Sequence, residues 1–165
     1  MHIVSPEATS LDGRALLQSL NQIYCWQETT GPYETKLIER CEKACAVPIE
    51  EIILADLSTL VMQGIGLETL LKAALPIVEL APWIETGHYP GDLLISVIHG
   101  VDKTGGIDPN TIERLIGPTR KLLAMYREEK HFQDNQPENS KDEYWADDII
   151  EELDQFLSVR SSNES

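Results

Sequence analysis

The residues of this chain best suited to chemistry are two Glu-x-x-His pairs, Glu85 with His88 and Glu128 with His131. Helical bundles that hold two metal ions use two such pairs on facing helices, together with one glutamate from each of two further helices. Here the first pair contains a glycine and precedes Pro90, so it falls in a predicted loop, and the second lies at a charged helix end beside a polar segment. We expect no di-metal centre, and a helical metal-dependent hydrolase or oxidase is kept as an alternative hypothesis.

The three cysteines, Cys25, Cys41 and Cys45, are the other possible metal ligands or nucleophiles. Cys41 and Cys45 are one helical turn apart, but zinc needs two more ligands and no Cys-x-x-Cys or His-x-x-x-His motif lies nearby. A small, odd number of cysteines is typical of a reducing compartment and not of a disulfide framework. We therefore expect Cys41 and Cys45 to be small buried side chains, and we expect neither a metal nor a cofactor.

The sequence lacks the motifs of nucleophilic and phosphate chemistry. It contains no Gly-x-Ser-x-Gly motif, and Gly64-Ile-Gly66 lacks the third glycine, the preceding strand and the following lysine of a phosphate loop. We therefore predict that the protein is not an enzyme.

The elements that would position any site are predicted to be helices. Apolar residues recur at helical spacing, and no stretch alternates between apolar and polar residues as a strand does. Helix-start and helix-stop residues divide this pattern into segments. Gly64 is the expected stop of one segment, Gly100 lies just past the end of another, and Gly117-Pro118 interrupts a third. The segments cover roughly 11–24, 32–46, 49–62, 67–80, 90–99, 109–116, 118–131 and 142–159, and the segment over 118–131 is expected to be separate from the one before it or joined to it by a kink. The prediction is an all-α fold of about seven or eight short helices.

A chain of 165 residues that is 42% apolar is long enough to close one hydrophobic core, so we expect a single compact domain. Within it we predict a helical core over residues 1–132, a polar linker over 133–140, a terminal helix over 141–160 that packs on the core, and a frayed tail over 161–165. No signal peptide and no apolar stretch of membrane-spanning length is evident. The expected location is the cytoplasm.

The net charge is −15, from 28 acidic and 13 basic residues. Such a surface repels phosphate groups, so direct binding to nucleic acid or to an anionic membrane is disfavoured. Over half of the excess lies in residues 134–165, which hold ten acids and two bases. The charge therefore favours either high solubility or a basic partner.

The predicted terminal helix separates this charge from its apolar residues. On a helical wheel one arc is apolar: Trp145, Ala146, Ile149, Ile150, Leu153, Phe156 and Leu157. The opposite arc is acidic: Asp147, Asp148, Glu151, Glu152 and Asp154. Like charges four residues apart destabilise a helix by roughly 0.2–0.5 kcal/mol a pair, and no base offsets them along the helix before Arg160. Two interpretations compete: a solvated face that aids solubility, and a docking face for a basic protein.

The middle of the chain resembles a known family. The segments "QGIGLETLL", from Gln63, and "YPGDLL", from Tyr89, together with the stretch from Val47 to Leu60, are similar to the immunity proteins of bacterial contact-dependent growth inhibition (CDI) systems. The resemblance covers residues 47–98, about a third of the chain, and does not reach the acidic helix. It implies a small cytoplasmic protein without catalytic activity.

The resemblance also implies a partner, the carboxy-terminal toxin domain of a surface-delivered effector, which is often a nuclease. An acidic inhibitor could fill the basic substrate groove of such a toxin. The expected contacts are the five carboxylates of the terminal helix, or a loop in which Trp83, Glu85 and Tyr89 combine aromatic and polar groups. An unrelated acidic helical adaptor is a further alternative, and the sequence leaves the oligomeric state open.

Overall fold

The computed structural model describes residues 13–28, 31–104, 109–134 and 146–161. The helices are α1 (Gly13–Leu16), α2 (Leu20–Tyr24), α3 (Lys36–Ala46), α4 (Leu54–Gln63), α5 (Leu67–Leu80), α6 (Asp92–Lys103), α7 (Pro109–Asp134) and α8 (Ala146–Ser161), with a 3-10 turn at Ile49–Glu51. In these ranges no strand forms, and Ser19 and Pro48 make one isolated antiparallel bridge. The prediction of a single all-α domain is confirmed.

Helix α6 lies at the centre of the fold. It packs against α4, α5 and α7, and every residue from 92 to 98 is buried. Gly100 was expected just beyond this helix but lies inside it, because α6 passes close to α4: a Cβ at Gly100 would lie 2.9 Å from Cγ1 of Val61. The glycine here permits close helix packing and does not end the helix.

The long helix α7 corrects the expectation of a break at Gly117-Pro118. Proline removes one backbone hydrogen bond and crowds the preceding turn. In this helix the Thr119 hydroxyl donates to the carbonyl oxygen of Leu115 at 2.7 Å, inside the buried face. Leu115 and Leu122, one turn to either side, are fully buried, so packing keeps α7 continuous through the proline.

Two predicted helices are divided in the structure. The amino-terminal one breaks before Ser19, whose side chain accepts from the N–H of Gln22 and caps α2 as half of a capping box. The segment predicted over 49–62 is a 3-10 turn followed by α4. Both breaks come from local capping and turn geometry that apolar spacing alone does not reveal.

The hairpin of α4 and α5 follows the prediction closely. Gly64 ends α4 with a left-handed φ of +79°, and its N–H caps the helix. Helix α5 has the predicted bounds and continues through Pro76. Of the predicted linker and tail, residues 135–140 and 162–165 lie outside the described residues.

A search of the described residues for membrane-spanning segments finds no helix with the necessary length and apolar character.

Candidate partner-binding site

Helix α8 has the two faces that the sequence pattern predicts. Its apolar face packs on the core through Ala146, Ile149, Ile150, Leu153, Phe156 and Leu157. Trp145, which was assigned to this face, lies outside the described residues. On the acidic face Asp147, Asp148 and Glu151 are exposed, while Glu152 and Asp154 are half-buried.

Two of the five carboxylates on α8 are paired with bases of α7. The Lys130 ammonium donates to Asp147, and the Arg127 guanidinium donates to both carboxylate oxygens of Asp154, at 2.7 and 2.6 Å. Along α8 itself no base precedes Arg160, but packing against α7 brings Lys130 and Arg127 to these acids. Exposed pairs of this kind contribute about 0–1 kcal/mol each.

Glu152 contacts helix α6 rather than α7. Its Oε1 forms a hydrogen bond with Nε2 of His99 on α6, at a cleft of about 220 Å³ between α6 and α8. Burial raises the pKa of Tyr89, and the charges of Glu152 and Asp92 raise it further. Glu152 therefore lies near the loop before α6, and its carboxylate is bound within the molecule.

Asp148 and Glu151 differ from the other three carboxylates. Both are exposed, and in the part of the chain that the structure describes no base lies within ion-pairing distance of either. They are three residues apart and so lie on the same side of the helix. The acidic surface most available to a basic partner therefore consists of two carboxylates, whereas the sequence suggests five.

The loop between α5 and α6 is held by Asp92, the first residue of α6. This carboxylate is 3% exposed and accepts the backbone N–H groups of Thr86 at 2.7 Å and of His88 at 3.0 Å. The N–H of Gly91 closes the loop by donating to the carbonyl oxygen of Ile84 at 3.1 Å. Because hydrogen bonds to a charged carboxylate are strong, Asp92 holds the backbone of residues 86–88 in place.

Helix α7 holds the end of the same loop. The Tyr126 hydroxyl donates to the carbonyl oxygen of Pro90 at 2.5 Å. Gly91 has a φ of +86°, and a Cβ there would lie 2.4 Å from Cδ2 of Leu122. Only glycine satisfies both conditions, so the loop is preorganised before any partner arrives.

The three predicted loop residues occupy different environments. Trp83 is 52% exposed, and Glu85 is exposed with no ion pair among the described residues. Tyr89 is half-buried in the wall of a cleft. Trp83 and Glu85 are therefore accessible to a partner, whereas Tyr89 is half-buried and forms part of the cleft wall.

That cleft, of about 440 Å³, lies between α3, α4 and the loop, and sequence reasoning missed it. Ser58 and Ser96, whose hydroxyls are hydrogen-bonded at 2.8 Å, are among its lining residues. Exposed Leu37 and Met62 also line it. Ser58 and Ser96 interrupt the apolar stripes of α4 and α6. This interruption is the sequence signal that could have predicted a polar contact between the two helices.

The residues considered for metal chemistry are not brought together. No group of three or more His, Cys, Asp or Glu side chains in the described ranges could hold a metal ion. Cys41 and Cys45 are buried, as predicted. Burial raises the pKa of both thiols, that of Cys45 to about 11. Neutral buried thiols are poor nucleophiles and poor metal ligands.

Comparison with known protein families gives a match. The family model for CDI immunity proteins matches residues 22–104, just over half of the 165 residues. This range runs from α2 to the end of α6 and includes the loop, the cleft beside it and both resemblance segments. No curated protein and no solved structure gives a significant match.

Proposed function

Because this chain belongs to the family of CDI immunity proteins, we propose that it binds and neutralises the carboxy-terminal toxin domain of a contact-dependent growth inhibition effector. We propose further that this toxin domain is a nuclease and that inhibition is stoichiometric, without catalysis by the immunity protein. The family match over residues 22–104 carries the proposal.

The charge of the protein supports a nuclease as the target. A nuclease has to attract a polyanion, so its substrate groove is basic. A protein with a net charge of −15 is attracted to the same groove, and complementary charge accelerates association. The inhibitor would then exclude the nucleic acid from the groove.

The proposed contact surface has two parts. Asp148 and Glu151 form no ion pair with any base that the structure describes, so they can accept directly from Arg or Lys of the toxin. Trp83 and Glu85 supply an aromatic anchor and a polar neighbour on a preorganised loop, which lowers the entropy cost of binding. Asp147, Glu152 and Asp154 contribute less, because each is already paired.

The test is a calorimetric titration of the purified protein with the toxin domain encoded beside it, at low and at high salt. We expect a one-to-one complex whose affinity falls at high salt, because charge attraction is screened. Absence of binding at both salt concentrations would refute the proposed function.

Two double variants with the same change in net charge locate the surface. Asp148→Asn with Glu151→Gln removes the two carboxylates that have no ion pair among the described residues, and Asp147→Asn with Asp154→Asn removes two paired ones. We expect the first to weaken binding about tenfold or more and the second clearly less. Equal losses would mean that only net charge matters, and no loss in either variant would exclude α8 while leaving the function intact.

A further inference from the structure

The loop between α5 and α6 ends in a β-turn formed by Tyr89-Pro90-Gly91-Asp92. The N–H of Asp92 donates to the carbonyl oxygen of Tyr89 at 3.1 Å and closes the turn. Gly91 has a φ of +86° and a ψ of 7°, the values of the third residue of a type II turn. A type I′ turn shares these values but needs a positive φ at the second residue, which proline cannot adopt. The turn is therefore of type II.

The peptide between Pro90 and Gly91 has two possible orientations. Type I and type II turns share the hydrogen bond that closes the turn, and they differ in ψ of the second residue and φ of the third. This difference amounts to a rotation of the planar peptide between the two residues. Glycine adopts either sign of φ, so Gly91 by itself allows both orientations. The contacts of the two polar groups of this peptide therefore decide between them.

Both polar groups of the Pro90–Gly91 peptide are hydrogen-bonded. The Tyr126 hydroxyl of α7 donates to the carbonyl oxygen of Pro90 at 2.5 Å, and the N–H of Gly91 donates to the carbonyl oxygen of Ile84 at 3.1 Å. Because the peptide is planar, turning it breaks both hydrogen bonds together. Tyr126 is 1% exposed, so its hydroxyl would lose this acceptor where little water can replace it.

Ile84 connects the turn to the exposed tryptophan of the proposed contact surface. Its side chain packs on the core, and its N–H donates to the carbonyl oxygen of Ala81 at 3.0 Å. Pro82, on the other side of Trp83 in the chain, is buried. Trp83 is thus held between two anchored neighbours, with 52% of its surface exposed. Loss of the hydrogen bond from Gly91 to Ile84 would release the backbone next to Trp83.

We infer that Tyr126 is a positioning residue for toxin binding, which holds the Pro90–Gly91 peptide in the type II orientation and thereby keeps Trp83 in its binding conformation. Tyr126 is buried and acts without touching the toxin. It lies outside residues 22–104, so the loop of the family region depends on α7. The role in binding rests on the proposed function, whereas the role in the turn does not.

The role in the turn is tested without any toxin in Tyr126→Phe, which removes only the hydroxyl. NMR measures the hydrogen exchange of single backbone N–H groups. We expect Gly91 to exchange about tenfold or more faster than in the wild type, because each turn of the peptide breaks its hydrogen bond. The rate of Asp92 should stay unchanged, because its hydrogen bond is present in both turn types. An unchanged rate at Gly91 would overturn the inference, as would equal acceleration at both residues, which would mean that the whole loop opens.

The matched control is Tyr24→Phe. The Tyr24 hydroxyl is hydrogen-bonded to that of Thr69 at 2.9 Å, at the opposite end of α5 from the loop. This variant also loses one hydroxyl in a hydrogen bond between two helices, and we expect it to leave both Gly91 exchange and toxin affinity unchanged. Acceleration of Gly91 exchange equal to that in Tyr126→Phe would show a general loss of stability and would overturn the inference.

The role in binding is tested by calorimetric titration with the toxin domain. We expect Tyr126→Phe to bind about fivefold or more weakly than the wild type, because the loop must first be ordered. In a Trp83→Ala background the same exchange should have little further effect, because the side chain that it positions is absent. An equal loss in both backgrounds would overturn the inference, as would wild-type affinity in either single variant.

The failure of this inference and that of the proposed function are distinguishable. A wild-type protein that binds no toxin would contradict the proposed function, and with it the role of Tyr126 in binding, whereas the exchange of Gly91 would still decide its role in the turn. Tight binding by the wild type and by Tyr126→Phe alike would overturn the inference and leave the proposed function standing.

Discussion

Residues 22–104, which match the family, contain buried polar contacts between elements, whereas α7 and α8 are joined to each other by exposed ion pairs. In the first region polar groups are buried and hydrogen-bonded, as in the contact of Ser58 with Ser96 and the capture of backbone N–H groups by Asp92. In the second, an apolar face packs on the core and exposed ion pairs join the two helices. The buried hydrogen bonds of the first region hold its backbone in one conformation, whereas the second region exposes acidic side chains to solvent.

This difference bears on how the two regions contribute to binding. The family match includes the preorganised loop but ends before α7 and α8. A fixed loop with an exposed tryptophan suits short-range recognition, and an acidic helix suits long-range attraction. We expect changes in the first region to affect stability strongly, and changes in the second to act mainly through charge and salt.

The largest effect is expected for Gly91→Ala in the loop. A left-handed backbone costs alanine about 1–2 kcal/mol, and the new methyl group would overlap Leu122, which adds roughly 1–3 kcal/mol. We expect the free energy of unfolding, measured with urea, to fall by about 3 kcal/mol. The same exchange at Gly117 of α7, where a Cβ meets nothing within 4 Å, is the control.

Gly117→Ala should change stability by no more than about 0.5 kcal/mol, because the gain in helix propensity is opposed by crowding against the following proline. Equal losses at Gly91 and Gly117 would contradict the contrast between a tightly fixed loop and a tolerant helix surface.

The second-largest effect is a loss of stability at alkaline pH, caused by Cys45 in the first region. An unfolded Cys45 releases its proton near pH 9, whereas the folded protein holds it until about pH 11. Between these values the unfolded state binds fewer protons, so stability falls as pH rises, by about 2–3 kcal/mol at most. Urea denaturation across this range should show the decline, and Cys45→Ala should reduce it. An unchanged slope in that variant would show that another group titrates.

A smaller effect is expected at the buried contact between α4 and α6. Ser96→Ala leaves the Ser58 hydroxyl without its partner and should lower the free energy of unfolding by about 1–2 kcal/mol. The double variant Ser58→Ala with Ser96→Ala removes both groups and should be more stable than the single one. Additive losses would mean that the two hydroxyls are not coupled.

The smallest effect is expected for the ion pairs between α7 and α8. Arg127→Gln and Lys130→Gln should each lower the free energy of unfolding by less than about 1 kcal/mol at low salt. In about 1 M salt the differences from wild type should disappear, while that of Ser96→Ala should remain. A loss that persists in high salt would mean that these side chains stabilise α8 through packing.

The sequence predicted features that depend on neighbouring residues and missed those that depend on packing. Helix α5 and the stop at Gly64 were predicted correctly, because apolar spacing and a left-handed glycine are local properties. The continuity of α7 through Pro118 was not, because buried contacts along the helix outweigh the lost hydrogen bond.

The candidate site shows the same division. The two faces of α8 follow from its helical period, but the pairing of Asp147 and Asp154 with bases of α7 depends on how the two helices meet. The cleft beside the α5–α6 loop likewise needs α3 and α4 to be brought together. Sequence alone could therefore predict an acidic face but not which of its carboxylates pair with bases of α7.

The central claim is stoichiometric neutralisation of a toxin, and the most direct test measures the activity of the neighbouring toxin domain as the immunity protein is added. If the toxin is a nuclease, cleavage of nucleic acid should fall linearly and stop at one immunity protein per toxin domain. Full toxin activity in the presence of a large excess of the immunity protein would contradict the account, as would complete inactivation by far less than one equivalent.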